Sequence, residues 1–149
     1  MSAWRHLLAA AAGALALLGA SAAAQAPDPY ARELAAKLAR SERAVTQEGY
    51  VRAAGPFAGA LAPGEARRVT LSLRAGQDYA VIGVCATQCG APGLRLIDPG
   101  GADVAHGAPL PEASVMLVRV PATAQYELEA RMLRCADAAC WYALNVYTR

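Results

Sequence analysis

The stretch RRVTLSLRAGQDYAVIGVC, residues 67–85, carries two β-strand patterns separated by a turn. In its first half Val69, Leu71 and Leu73 alternate with polar residues, as in a strand that has one face in a core. An Ala-Gly turn follows, and residues 78–85 are then apolar at nearly every position. A run of that kind is typical of a central strand covered on both faces. The two halves therefore predict neighbouring strands of a β-structure.

Short segments of the same kind recur from residue 56 to residue 149, at a spacing of roughly 8 to 12 residues. They include FAGALAPGE, LRLIDPGGADV, SVMLVRV, QYELEARMLR and CWYALNVYTR. In QYELEARMLR, three charged residues alternate with inward-facing Tyr126, Leu128, Ala130 and Met132. About seven or eight strands without a helical pattern between them predict an all-β, antiparallel, jelly-roll-like sandwich, which we place at residues 51–149.

A different pattern precedes the strands, in DPYARELAAKLARSERAVTQE, residues 28–48. It is rich in helix-forming residues, with Asp28 expected near the N-cap, Pro29 at the first position and the end near Gly49. Its apolar stripe is thin and consists of Tyr30, Leu34, Leu38 and Val45. We therefore expect residues 25–50 to form a short amphipathic helix and linker that dock loosely on the sandwich or on a partner.

The first 24 residues have the layout of a secretory signal peptide. A basic start at Arg5 precedes an apolar run over residues 7–20, and an A-x-A site ends at Ala24. The run is shorter than the roughly 20 residues that span a membrane as a helix, so we expect cleavage and no membrane span afterwards. Cleavage would leave Gln25 first in a chain of 125 residues (149 − 24) located in the periplasm or outside the cell.

Charge and length limit the classes of function. The chain has 14 Lys and Arg against 12 Asp and Glu, a formal charge of +2, with no basic patch. This balance argues against nucleic acid or an anionic membrane surface as a partner. The length suits one domain with a single core.

Four cysteines form two close pairs, Cys85 with Cys89 and Cys135 with Cys140. An even number of cysteines in a short exported chain favours disulfides, because the compartment is oxidising. A Cys₄ zinc site is the alternative, but zinc spacing is usually tighter and lies in knuckle turns. Four cysteines allow three pairings; chain entropy favours long loops and contact probability favours neighbours. We favour the local pairs and expect no metal.

No catalytic constellation accompanies these features. His106 lies near Asp103 and Ser114 in sequence, but no nucleophile-elbow motif surrounds Ser114. A weak calcium site at Asp98 and Asp103 is the alternative to a plain hairpin turn. We predict a protein that is not an enzyme and needs no cofactor.

The last predicted strand, residues 140–149, offers the best candidate for binding. Alternation places one set of side chains in the core, namely Tyr142, Leu144 and Val146. The opposite set is Trp141, Asn145 and Tyr147, with Ala143 between them. Aromatic rings with polar tips suit stacking on sugars or seating a partner protein. The alternative is that the N-terminal helix or the second sheet covers this set.

With the strands placed, three segments resemble the pre-peptidase C-terminal domain family: YAVIGVCATQCGAPGLRLIDPGGADV, ATAQYELEARM and CWYALNVY. The resemblance covers about residues 56–148. It implies a jelly-roll-like sandwich that is not itself catalytic and accompanies secreted enzymes as an accessory or binding module. Acidic residues that such domains often carry before the L-x-L strand are replaced here by Ala91, Pro92, Gly93 and Arg95.

Three classes of function remain. The first is a periplasmic binding or protein-interaction module whose partner is an envelope protein or a glycan. The second is a structural, envelope-associated subunit. The third, and the weakest, is a small hydrolase that would use His106, Asp103 and Ser114.

Overall fold

A computed structural model describes residues 26–149; the predicted signal peptide, residues 1–24, lies outside the described residues. Within this part of the chain one helix, α1 (Asp28–Gln47), precedes nine strands. The strands are β1 (Val51–Leu61), β2 (Ala66–Leu73), β3 (Asp78–Cys85), β4 (Gly93–Ile97), β5 (Asp103–His106), β6 (Ala108–Pro109), β7 (Ala113–Arg119), β8 (Ala124–Arg131) and β9 (Cys140–Thr148). The described helix is not long and apolar enough to cross a membrane.

The strands form two antiparallel sheets that face each other. Sheet A has the order β1-β9-β3-β7-β6, and sheet B has the order β2-β8-β4-β5. The chain crosses between the sheets at every connection except β4–β5 and β6–β7, and the predicted all-β sandwich is confirmed. The described chain has nine strands where seven or eight were predicted, because β6 has only two residues and leaves no alternation to detect.

The main core lies between the two sheets. The four apolar residues predicted to face inward from β8 and its continuation are each at most 2% exposed: Tyr126, Leu128, Ala130 and Met132. β3 is buried at every position after Asp78, as its continuous apolar run predicts. The periodicity of the sequence is therefore a reliable guide to which side chains enter the sandwich.

β1 begins earlier than its sequence indicates. The predicted strand started at Phe57, whereas β1 starts at Val51 and runs through Gly55 and Pro56. Its register with β9 shifts twice, and the second shift lies between Ala54 and Phe57. A bulge of this kind breaks the period of two, so this part of the strand has no alternating pattern.

α1 docks firmly on the outer face of sheet A, so the expectation of loose docking was wrong. Its buried residues Leu34, Leu38 and Val45 form a second core with apolar residues of β3 and β9. Pro27 occupies the N-cap, and Asp28 is the first helical residue. A thin stripe suffices because the opposing sheet face consists largely of Ala80, Ile82, Val84, Ala143 and Tyr147.

Polar contacts fix one flank of α1 to the loop that follows β3. Lys37 donates a hydrogen bond of 2.7 Å to the carbonyl oxygen of Cys85. Thr87 donates to the carboxylate of Glu33, and Gln88 donates to the hydroxyl of Tyr30 at 3.2 Å. These contacts join residues far apart in the chain, and hydrophobic periodicity does not reveal them.

Both disulfides are local. Cys85 is bonded to Cys89 and Cys135 to Cys140, with 5.8 Å between the Cα atoms of each pair. The two loops also touch, since Ala136 donates a backbone hydrogen bond of 2.9 Å to Gln88. Two short rings therefore lie side by side at the end of β3 and the start of β9.

Candidate functional site

The residues predicted as an exposed binding strip lie under α1. Parity is as predicted, since Trp141, Asn145 and Tyr147 point away from the main core. Their predicted exposure was wrong, because Asn145 and Tyr147 are each 1% exposed and Trp141 is half-buried against the second core. The helix covers this face of β9.

A hydrogen-bonded chain connects these residues to α1. The hydroxyl of Tyr147 donates to the Glu42 carboxylate at 2.7 Å, and the Asn145 amide donates to that hydroxyl at 3.1 Å. Arg52 of β1 donates to the same Glu42 oxygen at 3.1 Å. The contact thus joins α1, β1 and β9 at one point.

The protonation states of Glu42 and Tyr147 are set by their neighbours. The hydrogen bond from Tyr147 lowers the pKa of Glu42, and Arg52 adds to this effect against the opposing effect of burial. Burial and the hydrogen bond to Glu42 raise the pKa of Tyr147 to about 12. At neutral pH Glu42 is therefore an acceptor only, and Tyr147 must be the donor between them.

This assignment also fixes the orientation of the Asn145 carboxamide. The Tyr147 hydroxyl directs its proton toward Glu42, so its oxygen accepts a hydrogen bond from the Asn145 nitrogen. The Asn145 Oδ1 atom then points the other way, toward β1, where a Cβ on Gly55 would lie 2.7 Å from it. Among the residues that the structure describes, this buried oxygen has no hydrogen-bond donor. An unsatisfied buried acceptor costs about 1–3 kcal/mol.

Asn145 lies in the floor of a groove between α1 and β1. The groove has a volume of about 550 Å³. One wall is the flank of α1 that carries Ala31, Ala35 and Ala39, and the other wall is formed by Arg52, Pro56 and Ala58. The floor includes Ala143 and Asn145 of β9, and the ends are marked by Asp28 and Glu42. We call this feature the α1–β1 groove.

The groove exists because α1 covers only part of sheet A. The helix packs on β3 and β9, which leaves the strip above β1 uncovered by any described element. Ala31, Ala35 and Ala39 recur every four residues and therefore share one flank of the helix. These three residues and Ala58 are exposed. Their methyl side chains are too short to fill the space.

The outer face of sheet B is a second candidate surface. Arg68, Glu129, Arg95 and His106 pair directly across its four strands and form one row. The Glu129 side chain is only 6% exposed and accepts hydrogen bonds from Arg68 at 2.8 Å and from Arg95 at 3.0 Å. Burial alone would raise the pKa of Glu129, but these hydrogen bonds outweigh it and lower the pKa. The two arginines share this carboxylate and take further partners in Glu127 and Asp103, while Arg95 Nε is buried without a hydrogen-bond partner among the described residues.

The three residues of the hydrolase alternative do not assemble. His106 lies 3.4 Å from Asp103 and is exposed. Ser114 is only 2% exposed, and its hydroxyl donates to the carbonyl oxygen of Pro92. A serine that is buried and bonded to a carbonyl has no base to remove its proton.

The Asp98 side chain stabilises the turn predicted after β4. Its carboxylate accepts a hydrogen bond of 2.9 Å from the backbone of Ala102. Asp103 is paired with Arg95 at 3.3 Å. Residues 26–149 contain no group of three or more side chains placed to hold a metal ion.

Comparison with known proteins gives a likeness of fold. No family model and no curated protein matches the chain. Among solved structures it is similar to Aeromonas hydrophila PliG, a periplasmic lysozyme inhibitor of g-type lysozyme. The sequences are 15% identical, the TM-score is 0.50, and the match covers 66% of this chain and 93% of that chain. At this identity the likeness extends to the fold alone, and membership of the pre-peptidase C-terminal domain family stays a prediction.

Proposed function

We propose that this chain is an exported, non-catalytic module that binds another protein of the cell envelope. The α1–β1 groove is the observation that carries the proposal. It is concave, has largely apolar walls and is also lined by the charged side chains of Asp28, Glu42 and Arg52. Ligand sites commonly combine an apolar concavity with a few polar groups of this kind.

Two further features support export and a protein partner. Local disulfides are typical of proteins that fold in an oxidising compartment, which agrees with the signal peptide predicted at residues 1–24. PliG, which shares the fold, is a periplasmic lysozyme inhibitor of g-type lysozyme. A lysozyme is therefore a sensible first partner to test, and a glycan is the alternative.

A structural, envelope-associated subunit is the competing function. Such a role favours broad apolar faces for permanent burial. Here the outer face of sheet B carries a charged row, and α1 already covers β3 and β9 in the middle of sheet A. A groove of limited size suits an exchangeable partner better.

Site-specific photocrosslinking in the native periplasm tests the proposal. A photoreactive residue is introduced at Ala39 in the groove, at Ala36 on the outward face of α1, and at Thr70 on sheet B. We expect discrete protein adducts from Ala39, one of them with a lysozyme if the likeness to PliG extends to its partner. Adducts from Thr70 alone would support protein binding but would show that sheet B, and not the groove, is the binding surface. No protein adduct at any position, or adducts with glycan only, would overturn the proposed function.

A further inference from the structure

The four cysteines lie together, and two of them face each other across the two disulfide loops. Cys89 and Cys135 are antiparallel bridge partners, although each is bonded to a different cysteine. Both are half-buried and pack against the main core. We propose that the four cysteines are one thiol–disulfide exchange unit, in which partial reduction by a dithiol moves the remaining disulfide to Cys89–Cys135.

The register of the bridge suits a disulfide between the two loops. The backbone N–H of Ala136 donates to the carbonyl oxygen of Gln88, and these two residues flank the bridge partners. Cys89 and Cys135 are therefore a non-hydrogen-bonded pair, in which Cα atoms are about 4.5 Å apart and side chains are closest. Disulfides form at Cα separations of about 4.4–6.8 Å. The third disulfide thus fits the backbone as it stands.

The exchange needs one external reactant, a dithiol reductant. The dithiol reduces Cys135–Cys140 to two thiols and becomes a disulfide itself, which transfers two electrons and two protons. The Cys135 thiolate then attacks Sγ of Cys89, and Cys85 leaves as a thiolate. The proton that Cys135 released is taken up by Cys85. One disulfide, Cys89–Cys135, and two thiols result.

The opposite order of reduction ends in the same state. If the dithiol first reduces the disulfide after β3, the Cys89 thiolate attacks Sγ of Cys135 and releases Cys140. Both routes leave Cys85 and Cys140 as thiols, and each of these residues is only 2% exposed. Buried thiols are inert, whereas accessible thiolates attack disulfides. The exchanged state therefore accumulates, because it has no accessible thiol to reverse it.

The exchange matters for α1, because the loop after β3 anchors the helix. Lys37 donates a hydrogen bond of 2.7 Å to the carbonyl oxygen of Cys85, and Gln88 donates to the hydroxyl of Tyr30 at 3.2 Å. Reduction without exchange would remove the covalent link of this loop. Exchange instead links the loop to the segment before β9, and a longer ring constrains the unfolded chain more. The unit thereby keeps the anchor of α1 covalently held after one disulfide is lost.

Partial reduction followed by peptide mapping tests this proposal. The oxidised, full-length mature protein is titrated with dithiothreitol, exchange is stopped with acid, and the thiols are alkylated in denaturant. Trypsin then places Cys85 and Cys89 in the peptide 75–95, and Cys135 and Cys140 in the peptide 135–149. Local disulfides leave these peptides separate, whereas the exchanged disulfide joins them. We expect the joined peptides to be at least tenfold more abundant than either one-disulfide form with a local bond.

Two double variants separate the facing pair from the buried pair. Cys85→Ala/Cys140→Ala keeps Cys89 and Cys135, which should close a disulfide in a glutathione buffer with native circular dichroism. The matched control, Cys89→Ala/Cys135→Ala, keeps two residues that lie diagonally across β3 and β9, since Cys85 pairs with Tyr142. Diagonal neighbours are about 7–8 Å apart, beyond the usual reach of a disulfide. The control should therefore show an effective thiol concentration at least tenfold lower.

Two results would overturn the exchange unit. One is a titration in which the joined peptides never appear. The other is a Cys85→Ala/Cys140→Ala protein that folds but closes its disulfide no more readily than the control. If this variant does not fold, the peptide map of the wild type decides alone. Neither result bears on binding at the α1–β1 groove, which the photocrosslinks test separately.

Discussion

Tyr147 of β9 donates a hydrogen bond of 2.7 Å to Glu42 of α1 and thereby joins the helix to the sheet beneath it. Both residues are part of the same chain of contacts that orients Asn145 in the groove floor. A single phenolic hydroxyl therefore affects both the docking of the helix and the shape of the candidate site.

Tyr147→Phe should lower the free energy of unfolding by about 1.5–3 kcal/mol, the range for a buried hydrogen bond to a charged group. The ring stays in place, so the loss reports the hydroxyl. Urea denaturation gives the magnitude, and hydrogen exchange should show faster opening of α1 than of β3. Tyr30→Phe, which removes a hydroxyl from the other flank of the helix, is the matched control and should cost less. An unchanged midpoint for Tyr147→Phe would contradict this account of docking.

Glu129→Gln should destabilise the protein by about 1–3 kcal/mol at neutral pH, because three arginines contact this nearly buried carboxylate. Glu127→Gln on the same strand removes an exposed pair and should cost about 0–1 kcal/mol. Chemical denaturation of the two variants, measured together, separates the buried contact from the exposed one. Equal losses would mean that burial of Glu129 has no energetic effect.

The same carboxylate predicts a pH dependence. The pKa of Glu129 lies below its ordinary value of 4.5 in the folded protein, so its contribution is complete above that value. The contribution is lost as the pH falls through the lower folded-state pKa. Thermal unfolding of the wild type should therefore show a fall in stability below about pH 4.5 that is shallower in Glu129→Gln. Parallel curves for the two proteins would rule out Glu129 as a source of this dependence.

Removing either disulfide by paired Cys→Ala substitution should cost about 2 kcal/mol, since each ring is short. The native protein should show no free thiol on alkylation without reductant, and a chelator should leave its circular dichroism unchanged. Stoichiometric zinc in the purified protein, together with four reactive thiols, would contradict the disulfide assignment.

Trp141→Ala should cost about 2 kcal/mol, roughly half the loss expected for a fully buried aromatic residue. The side chain is half-buried against the second core and is neither free in solvent nor enclosed. Leu133→Ala, at a residue that is 57% exposed, should leave the melting temperature nearly unchanged. A loss as small for Trp141 as for Leu133 would show that α1 does not hold this ring in solution.

Alternation within each strand predicted the sandwich and its inner faces, because side-chain parity depends only on the period of the pleat. It also assigned Tyr142 and Trp141 to opposite faces of β9. It did not show what covers the second face, since that depends on where a helix about a hundred residues earlier comes to lie. The polar contacts of Lys37 and Glu42 that hold this helix have no signature in hydrophobic periodicity.

The groove was missed for the same reason. Its walls come from α1 and β1, whose juxtaposition is a property of the tertiary structure. The only signal in the sequence is the four-residue spacing of Ala31, Ala35 and Ala39, and alanines at this spacing are common in helices. Glu129 was correctly placed on the outer face of its strand, but its burial depends on long arginine side chains from two neighbouring strands.

β9 lies between β1 and β3, and among the described strands β1 pairs with β9 alone. When the chain is made or exported N-terminus first, α1 and β1 emerge long before β9. Until then β1 has no strand with which to pair. Such non-local pairing makes folding slow, because a long loop must close before the contact is gained. Strands β2 to β8 have pairing partners among themselves, whereas β1 depends on β9. The wall of the groove that β1 forms is thus complete only when β9 is in place.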